Sequence, residues 1–119
     1  MEIIEKSAIE NIRDLEEKTG RPLLVQLIEL YKQSTPSVVI KMRDFLQGSA
    51  FVELGREAHS LKSSSANIGV HSIRDLSKQI ELQIHEENFN MNELKVLINA
   101  IDDQIEDVFS ALDDLITSD

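Results

Sequence analysis

The chain has 119 residues with no Cys, no Trp, one Tyr, four Phe, four Gly and two Pro, and a formal net charge of −10. That length suits one domain around a single core, the missing Cys excludes disulfides and thiolate metal sites, and the negative charge opposes binding to nucleic-acid phosphates. So few aromatics, glycines and prolines leave little for the strands and turns of an all-β fold and favour helices.

Residues 1–20 are acidic and amphipathic, where a secretory signal has a basic start and an apolar core. Within them, residues 6–18 form a short predicted helix with Ile9, Ile12 and Leu15 on one side and Gly20 as its stop. From residue 21 to 47, Leu24, Leu27 or Ile28, Tyr31, Thr35, Val38, Met42 and Phe45 keep a spacing of three or four through Pro36. That shared phase predicts one long helix, kinked near Thr35 because Pro36 removes a backbone donor, with two helices as the lesser alternative. Gly48 is its stop and Ser49 the expected N-cap of a third helix over 50–67, closed by Gly69. Ser72 is expected to cap a helix over 72–87, with Asp75 three residues on as in a capping box and with Ile73, Leu76, Ile80 and Ile84 inward. Residues 88–90 read as a turn. The last helix, 92–116, repeats Leu94, Ile98, Ile101, Ile105, Val108, Leu112 and Leu115 in alternating steps of four and three.

Long amphipathic helices joined by loops of a few residues pack antiparallel to their chain neighbours. The expected fold is therefore all-α: one domain over 1–119, an antiparallel up-down-up-down four-helix bundle with the short N-terminal helix across one end as a cap. No apolar run approaches the roughly 18 residues that a membrane span needs. A soluble, cytoplasmic protein is expected. The acid is unevenly spread: Lys95 is the only cation after residue 90, whereas over 50–69 Glu53 and Glu57 balance Arg56 and Lys62.

Function is most legible in that neutral stretch, at Ala58-His59-Ser60-Leu61-Lys62-Ser63-Ser64-Ser65-Ala66-Asn67-Ile68-Gly69. Phe51, Leu54, Ala58, Leu61, Ser65 and Ile68 define the inward face of the third helix, and His59 falls roughly 130° from its centre at about 100° per residue. His59 should face solvent. Residues three and four apart on a helix touch, so its neighbours are Gly55, Arg56, Lys62 and Ser63, with Ala66 a further turn along. Three of these five are small, two are cations, and none is a carboxylate. A histidine with an ordinary pKa of about 6.5 is mostly neutral in the cytoplasm, and its free ring nitrogen is a nucleophile. The chemistry that suits this setting is acceptance of a phosphoryl group, with Lys62 offsetting the charge on the phosphoryl oxygens and the small residues admitting a partner. A surface histidine beside a lysine is, on pattern alone, ordinarily no more than a solvated side chain.

The same residues carry a resemblance. Ala58-His59-Ser60-Leu61-Lys62 followed by Ser64-Ser65-Ala66-Asn67-Ile68-Gly69 resembles the signature of histidine-containing phosphotransfer (HPt) domains, written A-H-x-L-K-G-S-x-x-x-[LIV]-G. Leu76, Ile80 and Glu81 fall where that family has its L…[LI]-E run, and Leu27 to Tyr31 followed by Pro36 is similar to its second long helix. The resemblance implies a four-helix bundle relaying phosphate between the aspartates of receiver domains, with His59 as phosphoacceptor through Nε2 and Lys62 stabilising the phosphoryl group. Gly55, Arg56, Ser63 and Ala66 would belong to the receiver docking surface. Ser63 departs from the pattern, standing where the family usually has Gly. Glu81 stands where some members carry Gln to hydrogen-bond the histidine, and is expected either to orient His59 by accepting from Nδ1–H or to be a solvated carboxylate.

The implied protein is a phosphocarrier with no ATP-binding domain, hence not a stand-alone kinase. It has no cofactor of its own, any Mg²⁺ belonging to the partner receiver. The implied partners are receiver domains of response regulators, a hybrid histidine kinase, or both, with no nucleic acid or membrane, and the protein is a monomer. A chain running from Met1 to Asp119 suits a free-standing protein, and an excised terminal domain of a hybrid kinase would look the same. His71 and His85 read as surface residues without a lysine at helical spacing. A di-iron bundle site would need Glu three residues before histidines, and Arg56, Ile68 and Leu82 stand there instead. The acid pairs of the last helix lack the glycine-bearing loop of a calcium site. The alternative from another class is an adaptor that binds a signalling partner in an apolar groove, with His59 incidental.

Overall fold

The computed structural model describes residues 2–117, and among these residues it is all-helical apart from one isolated bridge between Ile4 and Val70. Five helices follow in order: α1 (Lys6–Thr19), α2 (Leu23–Gln47), α3 (Phe51–Asn67), α4 (His71–Glu86) and α5 (Met91–Thr117). α2 packs on α3 and α5, α4 packs on the same two, and α1 meets α2. The result is a helical bundle. No helix of the described residues is long and apolar enough to cross a membrane.

α2 is a single helix through Pro36. Its buried stripe is Leu24, Ile28, Tyr31, Thr35, Val39, Met42 and Leu46, and the expected Val38 and Phe45 lie half-buried on the flank. The steps of four, three and four repeat twice, which matches the 3.6-residue turn of a helix more closely than strict alternation does. α5 buries Leu94, Ile98, Ile101, Val108 and Leu112, with Ile105 and Leu115 at the margin. In α1, Ile9 and Ile12 are buried, but Leu15 is 51% exposed, so the expected apolar side is only two residues long.

Two expected caps fail. Ser49 is not the N-cap of α3, which is Ala50 with no side-chain bond. Ser49 takes a left-handed φ of 56°. Its N–H bonds the Leu46 carbonyl at 3.1 Å and that of Ala50 bonds Phe45 at 2.8 Å, a Schellman ending of α2 with serine where glycine is usual. Ser72 likewise lies inside the first turn of α4, its buried hydroxyl without a partner, and Asp75 pairs with Arg74 at 3.0 Å instead of completing a capping box. The α3–α4 corner is held by the chain's start. Glu5 N–H donates to the Gly69 carbonyl at 2.9 Å, a His71 ring nitrogen to the Glu2 carbonyl at 2.7 Å, and Arg74 pairs with Glu5 at 2.9 Å. Gly69, with φ +74°, is more than a helix stop: a Cβ there would sit 2.9 Å from the Glu5 carbonyl oxygen.

Side chains do cap elsewhere. Asn90 Oδ1 accepts the amides of Asn92 and Glu93 at 2.8 and 3.2 Å at the start of α5. Glu16 of α1 reaches across to accept the Leu24 amide of α2 at 2.9 Å, and Arg13 donates to the Leu115 carbonyl near the end of α5.

Candidate functional site

The inward face of α3 comes out as the periodicity requires, with Leu54, Ala58, Leu61 and Ser65 buried and Phe51 half-buried. His59 is therefore turned outward, its side chain 62% exposed. Ser65, although a serine, is fully buried, because the Tyr31 phenol of α2 meets its hydroxyl at 2.7 Å. Burial drives the Tyr31 pKa up to about 12 against the opposing pull of the Ser65 hydroxyl that meets it. Tyr31 also stands edge-on to Phe109 of α5. This buried pair ties α3 to α2 at a fixed rotation about the helix axis, and so supports the outward aim of His59.

α4 supplies the partner of His59. Ile73, Ser77 and Ile80 are buried, and Glu81, one position after Ile80, lands on the half-buried flank. Its carboxylate bridges two residues of α3: Oε2 meets His59 Nδ1, and Oε1 accepts from Lys62 Nζ at 2.5 Å. Partial burial pushes the Glu81 carboxyl up, but the hydrogen bonds from Lys62 and His59 and then their charges outweigh it, leaving it below the ordinary value. An ionised carboxylate can only accept, so Nδ1 carries the proton of this contact. In a neutral ring Nε2 then holds the lone pair. Nε2 has no hydrogen-bond partner among the described residues.

The remaining expected residues divide. Arg56 is exposed, with no ion pair or hydrogen bond among the described residues, and it lines a shallow groove with Val52, Gly55, His59, Glu81, Ile84 and His85. Ser63 and Ala66 are exposed along the His59 stripe. Gly55 does not stand clear of the surface; it is half-buried, and an ideal Cβ on it would come within 3.1 Å of Ile84 Cγ2. Lys62 is not a free cation either, since Glu81 already pairs with it. The carboxylate beside His59 was invisible to helical spacing because it comes from another helix. The signal for Tyr31–Ser65 was present: a tyrosine and a serine on two inward faces need each other as partners. His71 is taken up by the chain's start, and His85 is exposed on the rim of the groove.

A family model described as the Hpt domain matches residues 26–115. Among curated proteins and among solved structures, no match to the chain was found.

Proposed function

The chain belongs to the Hpt domain family, whose members serve phosphotransfer in phosphorelays and interact with receiver domains or histidine kinases, and from that membership we propose that it is a phosphocarrier with His59 as acceptor. The observation that carries the reading is Nδ1, held by Glu81, opposite an unpartnered Nε2 on a ring that is 62% exposed. The Nε2 lone pair attacks phosphorus in the aspartyl phosphate of a receiver. An N–P bond forms as the P–O bond to the aspartate breaks, and the aspartate leaves as a carboxylate with the electron pair. The ring keeps its Nδ1 proton and becomes a cation, and Glu81 faces that positive charge. Attack by a second receiver's aspartate reverses these steps.

Lys62 enters the mechanism by trading partners: its ammonium lies within reach of Glu81 in the resting site and turns part of its charge to the phosphoryl oxygens when they arrive. Arg56, exposed in the groove beside His59, is free to meet the same anion, and Gly55, Ser63 and Ala66 flank it in the docking surface. Ser63 adds a hydroxyl where the family usually has no side chain. The partners on this reading are receiver domains or a hybrid kinase, which bring the Mg²⁺. The protein has no cofactor of its own and works as a cytoplasmic monomer without nucleic acid or membrane. The bundle is read as up-down-up-down, with α1 across the end where α2 starts. Lys32 with Asp113 and Arg43 with Asp102 support opposite directions for α2 and α5, and Gly55 against Ile84 with His59 against Glu81 do so for α3 and α4.

Incubation with a phosphorylated receiver should leave on the protein a label that is stable in base and labile in acid and that disappears in His59→Gln. No transfer from any of several receivers, or a label that persists in His59→Gln, refutes the proposal.

A further inference from the structure

We propose that Gly55 is a positioning residue for the nucleophile: its missing side chain sets the spacing between α3 and α4 that lets Glu81 reach His59. The inference rests on His59 being the acceptor and adds the element that holds its tautomer. Gly55 lies one turn before His59 on α3, and Ile84 one turn after Glu81 on α4. The two helices therefore meet on adjacent rungs, a steric contact at Gly55–Ile84 and a polar one at His59–Glu81.

An ideal Cβ on Gly55 would lie 3.1 Å from Ile84 Cγ2, 3.6 Å from its Cβ and 3.9 Å from its Cγ1. All three atoms sit at the branched root of the side chain, which is stiff at χ1 and cannot swing its tip away. The Cβ and Cγ1 distances are ordinary contacts, and the added methyl therefore presses on α4 through Cγ2 alone, which must give by a few tenths of an ångström. Glu81, one turn away on the same rigid helix, moves with it and draws its carboxylate off Nδ1. A displacement of a few tenths of an ångström matters little to the core but much to a hydrogen bond. A glycine inside a helix is also locally unfavourable, so the added methyl gains in the helix while it strains the contact. Site geometry and global stability should thus respond differently.

The test uses the full chain with ¹⁵N-labelled histidine. In Gly55→Ala the His59 ring should lose Nδ1–H population in favour of the Nε2–H tautomer, and transfer from a phosphorylated receiver should slow by about threefold to tenfold, while the denaturation midpoint moves little. Adding Ile84→Ala should restore both signals. In the Ile84→Ala background, Gly55→Ala should change neither, the non-additivity expected of residues in contact. An unchanged tautomer in Gly55→Ala, or an equal change with and without Ile84→Ala, overturns the proposal. If Gly55→Ala alone does not fold, the double variant carries the test: a native tautomer supports the contact, and an unfolded double variant overturns it. The tautomer is read without phosphate, so a protein that never takes label yet follows this cycle refutes the phosphocarrier reading and leaves the positioning role standing.

Discussion

Replacing Glu81 with Gln keeps its shape and one acceptor oxygen and removes the charge facing His59. On the proposed mechanism the ring becomes a cation during transfer, and two unit charges roughly 4 Å apart interact by about 4 kcal/mol at an effective dielectric of 20 and about 1 kcal/mol in water. The ring is 62% exposed and the carboxylate 26%, which places the interaction toward the aqueous end, at about 1 to 2 kcal/mol. The corresponding slowing is about 5- to 30-fold. Glu81 also pairs with Lys62, so its loss frees a cation that favours the incoming phosphoryl group and works against the slowing. Single-turnover transfer from a phosphorylated receiver should therefore be measured in two backgrounds. Glu81→Gln is expected to slow transfer about tenfold on Lys62→Met and by less on the native chain. Equal or faster transfer on Lys62→Met would refute a role for the Glu81 charge. The same variant has an acid-side signature. Because the folded pKa of Glu81 lies below its ordinary 4.5, its contribution to stability is full above that value and is lost as pH falls through the folded value. Glu81→Gln should flatten the loss of stability below pH 4.5.

Three further outcomes concern the frame. Tyr31 is the only tyrosine and there is no tryptophan, so the phenolate absorbance reports one group, expected to titrate near 12 rather than 10.0. With the folded value raised, its contribution is complete below pH 10.0 and is lost as pH rises toward 12, a fall of up to about 2 to 3 kcal/mol in urea unfolding, which Tyr31→Phe should remove. Gly69→Ala forces a methyl against the Glu5 backbone at a left-handed residue and should cost about 2 kcal/mol or more by chemical denaturation. Ser49→Gly relieves an exposed left-handed residue and should raise stability by about 1 kcal/mol, and a loss would contradict the Schellman geometry.

Helix number, the continuity of α2 through Pro36 and the outward aim of His59 were legible because each depends on periodicity within one segment. What was not legible depends on meetings between segments. Ser49 and Ser72 have the composition of caps, but Ser49 belongs to the backbone-bonded ending of α2 and Ser72 falls inside the first turn of α4. Leu15 continues the apolar spacing of α1 and nevertheless lies exposed beyond the buried Ile9 and Ile12. Glu81 was readable either as a partner of His59 or as a solvated acid, and only the packing of α4 on α3 distinguishes the two. The pairing of Lys62 with that acid had no counterpart in the spacing of α3.

The exposure of Nε2 has a consequence for how long a message lasts. On the proposed reading, a phosphoryl group on that ring would stand in an open groove beside Arg56 and His85 and would not be enclosed by the bundle, so its lifetime would be set by the intrinsic hydrolysis of the N–P bond and by how soon a receiver arrives. A carrier of that kind would keep time by chemistry rather than by enclosure, and would leave the choice of recipient to the shapes that can reach the open face of α3.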